Sequence, residues 1–117
     1  MVEAGDGLAL RLCGRLLADA GAEVVRAGRA PGPGGAPRDA LLAQPHGEDW
    51  IAFLDEGKAV LPAPQAEGLL GEAWLLLSGL PHDAPLGCDA ALAAHPQLIA
   101  ACVTPFGQDG PRAGEPG

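Results

Sequence analysis

Leu8, Leu12 and Leu16 recur every fourth residue, and Leu17 and Ala20 broaden the stripe. A helix repeats every 3.6 residues, so this spacing predicts an amphipathic helix over residues 8–20. Arg11, Arg15 and Asp19 recur by four on another face, and Gly21 suits the position just past a helix end, where left-handed backbone is common. Residues 1–4 read as the end of a strand that feeds this helix. After it, "AEVVRA" fits a short buried strand. "DWIAFLDEGKAVLP" predicts a helical turn, a turn at Gly57 and a strand over 59–61. "QAEGLLGEA" is weakly helical because two glycines interrupt it. "WLLLSGL" reads as a buried strand, "CDAALAAHP" as a short helix stopped near Pro96, and "LIAACVTPFG" as another buried strand.

Strands that alternate with helices predict one α/β domain with a largely parallel sheet and flanking helices. In such sheets ligands bind beyond the carboxyl ends of the strands. The Gly5-Asp6-Gly7 turn, the loop at Arg29 and the loop at Thr104 would lie there. Residues 30–40, "APGPGGAPRDA", have the composition of an exposed loop.

Composition sharpens this picture. The chain has 117 residues and a hydrophobic fraction of 48%, but much of that is Ala and Leu, with two Phe, two Trp and no Tyr. Small apolar side chains bury little area each, so the expected core is modest. The net charge of −8 is carried entirely after Arg29. Seven cations are too few to track a phosphate backbone, which argues against nucleic-acid binding. Every apolar run, residues 73–77 among them, is far too short to span a bilayer, and no signal peptide is evident. Three cysteines (Cys13, Cys88, Cys102) without Cys-x-x-Cys spacing disfavour a disulfide framework or a zinc site. A cytoplasmic protein is the expectation.

Candidate chemistry is sparse. Gly5-x-Gly7 opens a dinucleotide-type turn, but the third glycine of that fingerprint is replaced by Leu10, and Asp6 puts a negative charge in the turn. Arg29 ends the second strand, where a guanidinium could meet a ribose phosphate. Ser78 lacks a Gly-x-Ser-x-Gly elbow. Cys13 falls in a helix, Cys102 in a strand pattern read as buried, and His46, His82 and His95 share no metal-ligand spacing. Neither a catalytic nucleophile nor a metal site is expected.

Three blocks, however, resemble a known family. "LLADAGAEVVRAGR" resembles the "LADLGAEVIKVE" stretch of the family III CoA-transferases, the formyl-CoA, carnitine and bile-acid CoA-transferases. "FLDEGKAVLP" resembles their "LNRGKRSVxLDL", and "HPQLIAACVTPFGQDGPRAGEPG" resembles "NPRLIYCSITGFGQTGPYAGRPGYD". The blocks occur in the family's order and cover most of the chain. The resemblance implies the N-terminal, Rossmann-like portion of that fold, with coenzyme A or an acyl-CoA as ligand. It implies that Asp6, Gly7 and Leu8 lie beside the thioester and that Thr104, Pro105 and Phe106 flank the pantetheine arm. Arg29 and Lys58 would face the coenzyme's phosphates and adenine side. It also implies a partner, either the remainder of the family fold or a second copy, covering apolar surface on this piece.

The departures are equally informative. "SGLPHD" stands where the family has "ENFRPG", and "DEGK" stands for "NRGK", setting Asp55 and Glu56 beside Lys58. Two like charges 4 Å apart repel by about 1 kcal/mol in water and more near a protein surface. The family's catalytic aspartate, which carries the acyl group and then CoA, has no counterpart among these residues. The expected role is therefore one wall of a CoA site in an enzyme that moves CoA between carboxylic acids. The alternative is a non-catalytic, degenerate nucleotide-binding or interaction module.

Overall fold

The computed structural model describes residues 1–28 and 44–113. Arg29, the loop at 30–40 and the final Pro116-Gly117 pair lie outside the described residues. Five strands form one parallel sheet: β1 (Val2–Ala4), β2 (Val25–Gly28), β3 (Ala59–Pro62), β4 (Leu75–Ser78) and β5 (Ile99–Cys102). Their order is β3-β2-β1-β4-β5, and every neighbouring pair is parallel. The chain starts at the centre, runs outward to β3, then crosses back to place β4 on the other side of β1. Helices α1 (Leu8–Asp19), α2 (Gly47–Asp55), α3 (Ala63–Gly68) and α4 (Cys88–Ala94) make the crossovers. This is the α/β, Rossmann-like architecture with flanking helices that the element order predicts.

Strand alternation divides the core into two layers. Val2, Ala4 and Leu76 face α3 and α4, packing with Ala66, Leu70, Leu86, Ala91 and Leu98. Leu75 and Leu77 face α1, packing with Met1, Leu10 and Val24, and Cys13 and Leu17 close this side.

Two expectations about faces are corrected. The Leu8-Leu12-Leu16 stripe points outward, at 49%, 41% and 61% exposure, whereas Leu10 and Arg11 are buried. The helix turns this way because Glu3 of β1 lies on the sheet face beneath it, and a buried carboxylate needs cations more than it needs leucines. Gly14 supplies the clearance, since a Cβ there would overlap the Glu3 carboxylate. Strand β5 is not buried either. Ile99 and Ala101 pair in register with Leu75 and Leu77, so they share the α1 face. Helix α1 packs on β1 and β4, and Ile99 at the sheet edge is left 61% exposed.

Candidate functional site

The order of strands reverses between β1 and β4, which opens a crevice at their carboxyl ends. Gly5 and Gly7 turn the chain there with φ of 119° and 114°, a region costly to any residue with a Cβ. Gly5 also lies against the other side of the crevice, where a Cβ would come within 3.1 Å of the Gly79 backbone. Gly79 N–H donates to the Ala4 carbonyl at 2.8 Å, and Val103 N–H donates to that of Ser78 at 2.8 Å. Backbone hydrogen bonds thus lace the ends of β1, β4 and β5 together.

Residues 79–83, and Thr104, Pro105, Gly107 and Gln108 of the loop after β5, wall a cavity of about 520 Å³. The β4–α4 loop is fixed from within. The buried Ser78 hydroxyl donates to the Leu86 carbonyl at 2.7 Å and accepts from Leu80 N–H at 3.2 Å. Gly87 lets this loop fold over the start of α4, because a Cβ would collide with the Pro81 carbonyl. His82 Nδ1 lies 2.9 Å from Asp89 Oδ2. That hydrogen bond first, and then the negative charges of Asp89, Asp83 and Asp109, hold the imidazole above its ordinary pKa. Gln108 Nε2 is buried in the cavity wall with no hydrogen-bond partner among the described residues.

The residues expected to flank a ligand are distributed unevenly. Thr104 and Pro105 line the cavity. Phe106 is partly exposed and stacks against the Arg112 guanidinium, 3.9 Å from the ring centre. Asp6, Gly7 and Leu8 follow β1 at the same edge of the sheet, and Asp6 sits 3.4 Å from Arg26 Nη2.

Lys58 does not join them. It precedes β3, at the amino-terminal edge of the sheet, and its ammonium turns inward. Nζ lies 2.9 Å from Glu3 Oε2, donates to the Arg11 carbonyl at 2.9 Å and stands 3.4 Å from Asp55 Oδ1. The Lys58 side chain has no exposed surface, so the expected contact with a coenzyme phosphate is not available to it. The acidic neighbour Asp55 supports the lysine internally.

Sequence reasoning overlooked the larger arrangement to which Lys58 belongs. Arg26 pairs with Glu3 across the register of β1 and β2 and donates to the Gly5 carbonyl at 2.7 Å. Arg11 pairs with Asp55 at the end of α2, and Arg26 Nε lies 3.6 Å from the same carboxylate. Among the described residues, three cations (Arg11, Arg26, Lys58) and three anions (Glu3, Asp6, Asp55) therefore form one mostly buried cluster. A signal existed: Glu3 and Arg26 are single charges set inside short apolar strands.

No family model matches this sequence, and no curated protein matches it. A solved structure does. The crystal structure of a hypothetical protein (Rv3272) from Mycobacterium tuberculosis is similar over 99% of this chain, with 26% identity and a TM-score of 0.70. The match covers 35% of that protein, so the chain spans about a third of its length. Among the described residues no group of three or more His, Cys, Asp or Glu could hold a metal ion, and no helix is long and apolar enough to cross a membrane.

Proposed function

We propose that this chain forms one wall of a coenzyme A site in a cytoplasmic enzyme of the family III CoA-transferase type, and supplies no acyl-carrying aspartate of its own. The observation that carries the reading is the cavity beside the switch point of the sheet, walled by residues 79–83 and the loop after β5 and next to the Gly5-Asp6-Gly7 turn. Its volume of about 520 Å³ is that of an ordinary small-molecule site. Asp83 in its lining and Asp89 beside His82 make it a poor place for phosphates. The uncharged pantetheine arm suits it better, with Thr104 and the buried Gln108 amide as polar contacts. Lys58 is internal, and the resemblance then leaves Arg29 as the residue to test for a phosphate contact. The exposed apolar side chains Leu8, Leu12, Leu16 and Ile99 offer surface for the remainder of the enzyme or a second copy.

Calorimetric titration of the purified chain with coenzyme A tests this reading. Saturable binding is expected, weakened about tenfold or more by Thr104→Trp, which fills the cavity, and by Arg29→Ala; tenfold corresponds to about 1.4 kcal/mol. Acyl-CoA exchange by the chain alone is expected to be absent.

The burial of Lys58 favours a second reading, a nucleotide-binding or interaction module that has lost the coenzyme. Lack of any coenzyme A binding, with the fold intact, would decide for it.

A further inference from the structure

Cys88 opens α4 and Cys102 closes β5, and a disulfide joins them with their Cα atoms 6.6 Å apart. The expectation from cysteine spacing is thereby corrected. Parallel crossover placed the two residues together although 14 positions separate them in sequence. Cys102 is the register partner of Ser78 and so projects toward the α4 side of the sheet. Cys13 packs on the opposite side, among Met1, Leu10 and Leu17, and cannot compete for either partner.

The two sulfurs have unequal surroundings. Cys88 is 4% exposed, whereas Cys102 is exposed at the sheet edge. Thiol–disulfide exchange requires access to the sulfur under attack. Of the two residues, Cys102 is the exposed one and Cys88 the buried one, which favours attack at Cys102. The bond joins the two segments that lead to the cavity walls: Thr104 follows Cys102 by two residues, and the loop at 79–83 leads into α4. Exposed disulfides are generally the labile, exchangeable ones.

We propose that Cys102 is a modification site for small thiols, with Cys88 as its resolving partner. The thiolate of a small thiol attacks Cys102 Sγ. A mixed disulfide forms there, the Cys88–Cys102 bond breaks, and Cys88 leaves as a thiolate that takes a proton from water. One S–S bond replaces another, so nothing is oxidised or reduced overall. In the reverse step the Cys88 thiolate attacks the same sulfur, releases the small thiol and restores the internal bond. Glutathione and the pantetheine thiol of coenzyme A share this chemistry. The coenzyme arm rests on the proposed function, and the glutathione arm does not.

Peptide mapping by mass spectrometry, acid-quenched and non-reducing, tests the site. In the wild-type chain treated with oxidised glutathione, a linked Cys88/Cys102 peptide pair is expected, and it should be lost when excess reduced glutathione is added. In Cys88→Ser the resolving thiol is gone. There, Cys102 should attack the oxidised form of either thiol, keep one half as a mixed disulfide and release the other half as thiolate. The adduct at Cys102 should exceed that at Cys13 by about tenfold or more, following exposure. In Cys102→Ser, shown by circular dichroism to be folded, Cys88 should stay unlabelled. Unlinked peptides in the oxidised wild type, or labelling that favours Cys88 or Cys13, would overturn the proposal. Labelling of Cys102 by glutathione but not by the coenzyme A disulfide supports the site while counting against the coenzyme reading. Faster labelling by the coenzyme A disulfide supports both.

Discussion

Lys58 Nζ lies 2.9 Å from Glu3 Oε2, and neither side chain has any surface in contact with solvent. The pair joins the amino-terminal edge of β3 to the middle of β1 beneath α1. Glu3 keeps Arg26 as a partner when Lys58 is truncated, but a buried group of charges loses one cation, and breaking a buried ion pair costs about 3–5 kcal/mol. Lys58→Met should therefore destabilise the chain by roughly that amount in urea denaturation. The double variant Glu3→Leu/Lys58→Met should recover part of the loss, because removing both charges leaves fewer unpaired. A Lys58→Met chain with wild-type stability would show that the ammonium is not held inside.

Gly14 gives a prediction of sign. Alanine is the better helix former by about 1 kcal/mol, so Gly14→Ala in an open position would stabilise α1. Here the new Cβ would overlap the Glu3 carboxylate, and overpacking of this kind costs about 1–3 kcal/mol. Net destabilisation is expected. Gly68→Ala, at the end of α3 with nothing within 4 Å, is the control and should be neutral or mildly stabilising. Thermal melts of the two variants side by side decide the matter.

The orientation of α1 can be read from its leucines. Leu10→Ala should cost about 2–5 kcal/mol, as for other fully buried leucines. Leu16→Gln, on the outward stripe, should change stability by no more than about 0.5 kcal/mol. If the two costs were reversed, the helix would present the other face to the sheet.

His82 sets a pH dependence. Its folded pKa is raised above the ordinary 6.5, chiefly by the hydrogen bond to Asp89. The imidazolium–Asp89 contact therefore contributes stability fully below pH 6.5 and loses it as pH rises through the higher folded value. Asp89→Asn should return the His82 titration, followed by NMR at its ring protons, toward 6.5 and remove this part of the stability profile. An unchanged titration in the variant would show that the contact does not form in solution.

The elements and their order were legible because each strand is a short apolar run and each helix follows a turn residue. Gly5 and Gly7 were legible as turn positions for the same reason. The side of α1 that meets the sheet was not. Periodicity sees a stripe of Leu8, Leu12 and Leu16, but the partner that decides the rotation, Glu3, lies in another element. Lys58 looked like an exposed loop residue because it follows Gly57; only the sheet parity of Glu3 and Arg26 shows the anion waiting for it. Cys88 and Cys102 are far apart along the chain, and a crossover rather than a spacing motif brings them together. Strand β5 reads as buried by composition, yet its burial depends on whether a helix reaches the sheet edge.

The position of a bound ligand separates a coenzyme site at the cavity from any other. NMR chemical-shift mapping of the labelled chain during titration with coenzyme A locates it residue by residue. Saturable shifts are expected in residues 79–83 and 104–108 and in the Gly5-Asp6-Gly7 turn, with little change around Lys58. Shifts centred on α2 and Lys58, or none at millimolar coenzyme, would contradict the assignment of the cavity.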